Sequence, residues 1–200
     1  MKGKVVLTGL VAGVALFVWL SIAHGALPLG MVGFKEIPNE DAVTAGLRAN
    51  VAEPGLYYFP GGGMLTAGTP EQKKAAQELY KKKIGSGPWG LLIYHPDGTT
   101  PISPRQLGVE FSANIVEALL AVWLISLAPG LSFMGRICFG ATVGLVGTMM
   151  TSLSYWNWYG FPALYSLNYV FIQVVGFILV GVVAAFMLPR HAKDMIGAGK

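Results

Sequence analysis

One cysteine stands in the whole chain, Cys138, and it falls in an apolar stretch. A lone thiol cannot build an internal disulfide, a CxxC redox pair or a thiolate metal cage, so it reads as a small buried hydrophobe. Histidine is nearly as scarce. His24, His95 and His191 are scattered, without HxxxH or HExxH spacing. His24 and His95 taken with Glu110 form no spaced ligand set, so no metal is expected. A histidine holding a haem or chlorophyll would normally sit inside a span, and only His24, at an edge, comes near one; no intrinsic cofactor is expected either. Charge is the third shortage. Only 12% of the 200 residues are charged while 54% are hydrophobic, about half the charged share of an ordinary soluble domain.

The formal charge of +4 invites a search for an anionic partner. Residues 24–110, however, carry eight basic and eight acidic side chains and are neutral. The excess lies in Lys2, Lys4, Arg136, Arg190, Lys193 and Lys200, at the ends of apolar runs. That distribution is the signature of membrane orientation rather than of nucleic-acid binding, for which no basic patch remains.

What the chain does have is four apolar stretches long enough to span a bilayer. The first covers residues 5–23, has no charge and follows Met-Lys-Gly-Lys. Ala23 and Gly25 offer a cleavage-like pattern, but the run exceeds the 7–15 residues of a signal-peptide core, so residues 1–24 read as a retained anchor. The second, residues 111–128, ends at Pro129-Gly130; its helix should begin earlier, with Ser103 as N-cap and Pro104 at the first helical position. The third runs over 137–153 and the fourth over 167–188, stopped by Pro189-Arg190. The expected organisation is a first transmembrane helix (1–24), an extracytoplasmic α+β cap (25–103), three further transmembrane helices (104–190) and a basic tail (191–200). The fold class is thus an all-α membrane protein of four helices with a small cap between the first two. Short-loop charge places both termini and the 129–136 turn in the cytoplasm, and the cap outside.

Within residues 25–103, Asn39 before Glu40-Asp41 predicts an N-capped helix to about residue 51. Thr69-Pro70-Glu71 opens a polar helix that Gly85 should close after Lys81-Lys82-Lys83. Its lysines, with Lys73 and Lys74, read as a solvated face. Leu91-Leu92-Ile93-Tyr94 before Pro96-Asp97-Gly98 suggests a strand and turn returning through residues 99–102, and Leu56-Tyr57-Tyr58-Phe59 is a candidate partner strand. The segment holds too few apolar residues for a robust core of its own, so it should lean on the helix ends or on a partner.

The chemistry-bearing candidates cluster in the spans. Glu117 is an acid at bilayer depth, about 9 Å along the helix from Phe111; such a group is costly unless it faces protein or water. Glu110 and Asn114 share its face within an arc of about 60°. Thr148, Thr151 and Gln173 reach similar depth from the other spans, whereas Asn168 and Gln173 lie about 140° apart and cannot share one target. The stripe is either a helix-docking contact or an outward-facing site for a cation, proton or polar ligand. Its continuation through Ala121 offers no relay to the far side. Gly9 and Gly13 in the first span, and Gly140, Gly144 and Gly147 in the third, are spaced for close helix packing within the chain or against another subunit. Residues 154–165 hold Tyr155, Trp156, Trp158, Tyr159, Phe161 and Tyr165. They suit a headgroup-layer belt, or an aromatic wall for a lipid, quinone, pigment or sugar.

The stretches IPNEDAV, EPGLYYFPG, GPWGLLIYHPDG, SPRQLGVEF and SYWNWYGFP, with the amino-terminal span, resemble a family of uncharacterised bacterial four-span inner-membrane proteins. The resemblance covers nearly the whole chain and implies that architecture, but no activity, cofactor or site residue. No nucleophile or metal set supports an enzyme with Glu117 as base. The leading expectation is therefore a non-enzymatic accessory or scaffold subunit of a larger bacterial membrane complex, respiratory or photosynthetic in type. Its partners would be membrane lipids and other membrane subunits. Binding or transport through the Glu110, Asn114 and Glu117 stripe is the alternative.

Overall fold

The computed structural model describes residues 2–189, and the basic tail expected over 191–200 lies outside the described residues. Two compact units emerge: one from the residues up to Phe34 together with those from Pro101 onward, the other Lys35–Thr100. The first unit holds four helices long and apolar enough to cross a membrane. They are α1 (Lys2–Ser21), α4 (Pro104–Ser126), α5 (Phe133–Tyr159) and α6 (Ala163–Met187). The second unit contains α2 (Glu40–Asn50), β1 (Gly55–Phe59), α3 (Pro70–Ser86) and β2 (Gly90–Tyr94).

Local chemistry sets these boundaries. Ser103 caps α4 reciprocally with Gln106: its hydroxyl accepts from the Gln106 N–H at 3.2 Å, and Gln106 Oε1 accepts from the Ser103 N–H at 2.9 Å. α1 ends in a wider turn, Ile22–Ala26, where the Leu27 N–H reaches back five residues to Ile22 O at 2.8 Å. α5 runs well beyond the expected end near residue 153. Falling hydropathy limits what a bilayer covers, but a helix ends only at a breaker, and the first is Gly160 at φ 73°. Only residues 160–162 separate α5 from α6, so the aromatic stretch is two helix ends joined by a tight turn rather than an extended loop.

The helices meet through glycine. α1 packs against both α4 and α6, and α5 lies along α6. The buried core includes Ala12, Leu16, Ala118, Val122, Val180 and Ala184, all at zero exposure. A Cβ on Gly9 would lie 2.9 Å from Leu119 Cα, and one on Gly13 2.7 Å from Ile115 Cα. Across the second seam, a Cβ on Gly140 would collide with the Phe177 carbonyl, one on Gly144 would lie 2.7 Å from Phe177 Cβ, and one on Gly181 2.8 Å from Ile137 Cα. Gly147 faces open space. α6 also presents Gly176 to Leu16 and Trp19 of α1, and the Trp19 indole N–H donates to Ile172 O at 2.8 Å. Cys138 is exposed rather than buried. α5 turns its Arg136, Gly140 and Gly144 face to α6, which leaves Cys138 on the outer side.

The Lys35–Thr100 unit is thinly built. β1 and β2 pair antiparallel, with Leu56 opposite Ile93 and Tyr58 opposite Leu91. No return strand forms over 99–102, where Pro101 has no N–H to donate. Gly87, at φ 60°, closes α3 in place of Gly85, its N–H bonding Lys83 O. Asn39 does precede α2, but in a left-handed conformation whose side chain makes no cap bond. The Tyr58 and Tyr80 hydroxyls share a 2.7 Å hydrogen bond linking β1 to α3. That bond, followed by partial burial and the neighbouring phenol's charge, raises the Tyr58 pKa above its ordinary 10.0.

Two outcomes follow from these contacts. In detergent, Gly144→Leu should lower unfolding stability by about 1–3 kcal/mol through overpacking, whereas Gly147→Leu should leave it within about 0.5 kcal/mol. Equal losses in the two variants would contradict the seam. Because the Tyr58 pKa is raised by folding, the contribution of its proton is complete below the unfolded pKa and vanishes as pH rises through the folded one. Ultraviolet titration should therefore show a late-ionising phenol that Tyr58→Phe removes.

Candidate functional site

The stripe on α4 divides between two environments. Asn114 points into the core, 2% exposed, and its amide Nδ2 has no hydrogen-bond partner among the described residues. Glu110 and Glu117 are exposed on the flank. Tyr169 of α6 is the residue that gathers the rest. It hydrogen-bonds Gln173 one turn on, and lies within electrostatic reach of both Glu117 and Glu110. It also lines a cleft of about 260 Å³ with Thr151, Tyr155 and Tyr165. Thr148 joins none of this, because its buried hydroxyl donates to Gly144 O at 2.7 Å within its own helix. The Thr151 hydroxyl donates to Thr148 O at 3.3 Å. The six polar candidates thus do not converge on one pocket. Thr151, Gln173, Glu110 and Glu117 share Tyr169 as a neighbour, and Asn114 and Thr148 do not.

The aromatic end of α5 and α6 is an ordered ladder. Tyr155 stacks on Phe161 with centroids 5.2 Å apart, Phe161 meets Tyr165 at 5.6 Å, and Tyr165 stacks on Tyr169 at 6.5 Å. Tyr159 adds an edge contact to Tyr155, and Phe34 one to Tyr165. Gly33, at φ 88°, admits this approach, since a Cβ there would lie 2.6 Å from Tyr165 Cβ. Asn168 Nδ2 ties the same region to Leu29 O at 2.8 Å. Trp156 and Trp158 stand outside the ladder, and Trp158 is 75% exposed.

The opposite end of the same hairpin is held by charge. Arg136, at the start of α5, is 4% exposed. Its Nη1 donates to Leu188 O at 2.9 Å and to Ala184 O at 3.4 Å, and its Nη2 to Pro189 O at 2.6 Å. These carbonyls lie at and just past the end of α6, where the helix dipole favours a cation; Ala184 O also accepts from the Leu188 N–H at 3.1 Å. Sequence reading treats Arg136 as a loop charge. Its role as a cap is invisible until α5 and α6 are paired.

His24 lies in the wide turn after α1, its Nδ1 2.9 Å from Leu20 O. Among the described residues no group of three or more His, Cys, Asp and Glu side chains could hold a metal. Comparison of the chain with known protein families, with curated proteins and with solved structures finds no match.

Arg136→Ala should lower stability in detergent by about 2–3 kcal/mol, the scale of a charge-assisted hydrogen bond lost from buried carbonyls. Arg136→Lys should restore only part of it, lacking the fork that reaches several acceptors. Asn114→Ala, which removes an unpaired donor, should change stability by about 1 kcal/mol or less. A larger loss on thermal unfolding would mean that the Asn114 amide is engaged.

Proposed function

We propose that this chain is a non-enzymatic accessory subunit of a larger complex in a bacterial inner membrane, of respiratory or photosynthetic type. Both termini and the 129–136 turn lie in the cytoplasm in this reading, and the Lys35–Thr100 unit lies outside. Lys2, Lys4 and Arg136 supply the positive charge at one end of the spans, while residues 160–162 carry none at the other.

The observation that carries the reading is the state of the Lys35–Thr100 unit. Its buried side chains are Ala76 and Tyr94, and neither α2 nor α3 packs closely along the sheet. The cross-strand pair Leu56 and Ile93 stands 68% and 69% exposed on one sheet face, and Leu65 is 96% exposed. A small unit that buries so little and presents paired aliphatic side chains suits an interface that a partner subunit completes. The rival reading, binding or transport of a cation, proton or lipid headgroup, would need the α4 stripe to act together. Its division between core and flank weighs against that.

The test is native-gel mobility after extraction in mild detergent. Wild-type protein should migrate within a complex of defined subunits identified by mass spectrometry. Leu56→Asp/Ile93→Asp should release it as a free chain still inserted in the membrane, whereas Glu117→Gln should leave the complex intact. A wild-type chain that runs as a clean monomer would sink the proposal. So would a Glu117→Gln chain that assembles normally but loses uptake or binding of a cation.

A further inference from the structure

A hydroxyl buried in an apolar helix ordinarily returns to its own backbone. Thr8 donates to Lys4 O, Ser21 to Phe17 O, Thr142 to Cys138 O and Thr148 to Gly144 O, all at 2.7–2.8 Å. Ser152 of α5 and Ser166 of α6 depart from that pattern. They are 7% and 8% exposed, and neither hydroxyl makes a hydrogen bond among the described residues. Neither oxygen is sealed off, because Asn114 Nδ2 is the enclosed side-chain atom that lacks a partner.

The two serines stand in the α5–α6 seam as a wall between separate pockets on its opposite flanks. One flank is a groove lined by Met149, Leu153, Trp156, Leu167 and Val170, whose surface is almost wholly apolar. The other is the cleft of about 260 Å³ that the serines form with Thr151, Tyr155, Tyr165 and Tyr169. The serine oxygens therefore open on the hydroxyl-lined flank. Thr151 and Tyr169 are already engaged, with Thr148 O and Gln173. The Tyr155 and Tyr165 hydroxyls, like those of the serines, make no hydrogen bond among the described residues.

A hydroxyl both donates and accepts, so a lining of free hydroxyls is satisfied fully only by a ligand that does the same. A polyol does; a ligand bearing carbonyl oxygens alone does not. The lining holds no Lys, Arg, Asp or Glu, so it neutralises no charged head. Glu110 and Glu117, within electrostatic reach of Tyr169, oppose an anion further, and standing on α4 they lie outside the lining that a cation would need them in. The volume falls below the roughly 300 Å³ at which drug-sized sites begin, which limits the occupant to one small ring. Tyrosine rings in the wall supply apolar surface for the C–H face of such a ring.

We propose that this cleft binds a single uncharged hexopyranose ring. Ring hydroxyls exchange hydrogen bonds with Ser152 and Ser166, and Tyr155 and Tyr165 close over its edge. The same chemistry is carried by the head of a glycosyl diacylglycerol and by a free sugar; tyrosine and tryptophan gathered at this end of the spans suit a headgroup layer. The apolar groove on the opposite flank takes no part. The site is also independent of the interface assigned to the Lys35–Thr100 unit.

The test uses the full chain in phosphatidylcholine nanodiscs carrying a rising fraction of monoglucosyl diacylglycerol, with bound lipid counted by native mass spectrometry. Glycolipid retention should saturate at one copy per chain, and Ser152→Ala/Ser166→Ala should weaken it about tenfold, the combined effect of two modest hydrogen bonds. Excess methyl glucoside in the buffer separates the two sources. Displacement of the glycolipid shows that the cleft also takes sugar from solution, and retention shows that the sugar must arrive on a lipid. The proposal is overturned if retention rises linearly without saturating, if the serine variant keeps wild-type affinity, or if plain diacylglycerol is retained as well, which would make the cleft an ordinary lipid groove. Displacement by phosphatidylglycerol would overturn it too, as the mark of an anion site. Should the double variant not fold, Tyr165→Phe carries the same readout, with about threefold weakening expected and unchanged affinity overturning the proposal.

Discussion

Two apolar helices in lipid gain nothing from burying their side chains against each other, because the lipid tails are as apolar as leucine. Association must come from atoms brought closer than lipid can bring them, and here backbone approach at glycine does that. Gly9 and Gly13 let α1 reach the Leu119 and Ile115 backbone of α4. Gly140 and Gly144 let α5 reach Phe177, and Gly176 lets α6 receive Leu16 and Trp19. α1 is the hinge of the arrangement because it serves two seams, with Trp19 adding a hydrogen bond across the second. A bulky residue at any of these positions would push apart the backbones that every other contact presumes to be close.

Much of this was legible in the residues, and the parts that were not share a physical reason. Span number and approximate position follow from unbroken apolar runs, and the Ser103 cap follows from a Ser-Pro-x-Gln pattern that has one local reading. Gly9, Gly13, Gly140 and Gly144 show themselves by spacing, and each meets a neighbouring helix. Gly147 has the same spacing yet meets nothing within the chain, because periodicity locates a face without saying what lies opposite. Gly176 and Gly181 have no comparable spacing and become visible only through their neighbours. The end of α5 was misread because hydropathy was taken for helix length, although the two are set by different things: the bilayer limits one and a chain breaker the other. Tyr169, Ser152, Ser166 and the cap made by Arg136 depend on pairing α5 with α6, which no local pattern announces.

Once the helices are placed, the distribution of satisfied polar groups distinguishes the two ends of the α5–α6 hairpin. A polar group in hydrocarbon must find its partner within the protein. At the Arg136 end the guanidinium answers the Leu188 and Pro189 carbonyls just past α6, and Gly181 brings the backbones together beside it. At the Gly160 end that demand is met only in part. Tyr169 bonds Gln173 and Asn168 bonds Leu29 O, while the hydroxyls of Ser152 and Ser166 face the cleft unpaired. Asn114 is the other unmet donor, 2% exposed in the core.

The same contrast bears on what kind of protein this is. A transporter needs polar groups at successive depths so that cargo is never without partners. Here the polar groups below the cleft are turned back on their own helices, as Thr148 and Thr142 are, or buried unpaired like Asn114. The exposed acids of α4 stop at Glu117, below which the same flank carries the exposed apolar side chains of Leu120 and Leu124. On the reading proposed above, such a molecule presents a surface to a partner, and among the described residues the flank below Glu117 offers no polar continuation. The thin Lys35–Thr100 unit, with Leu56 and Ile93 side by side and uncovered, belongs to the same logic. Its chain length goes into surface rather than core, and that is the observation from which an interface is proposed for it.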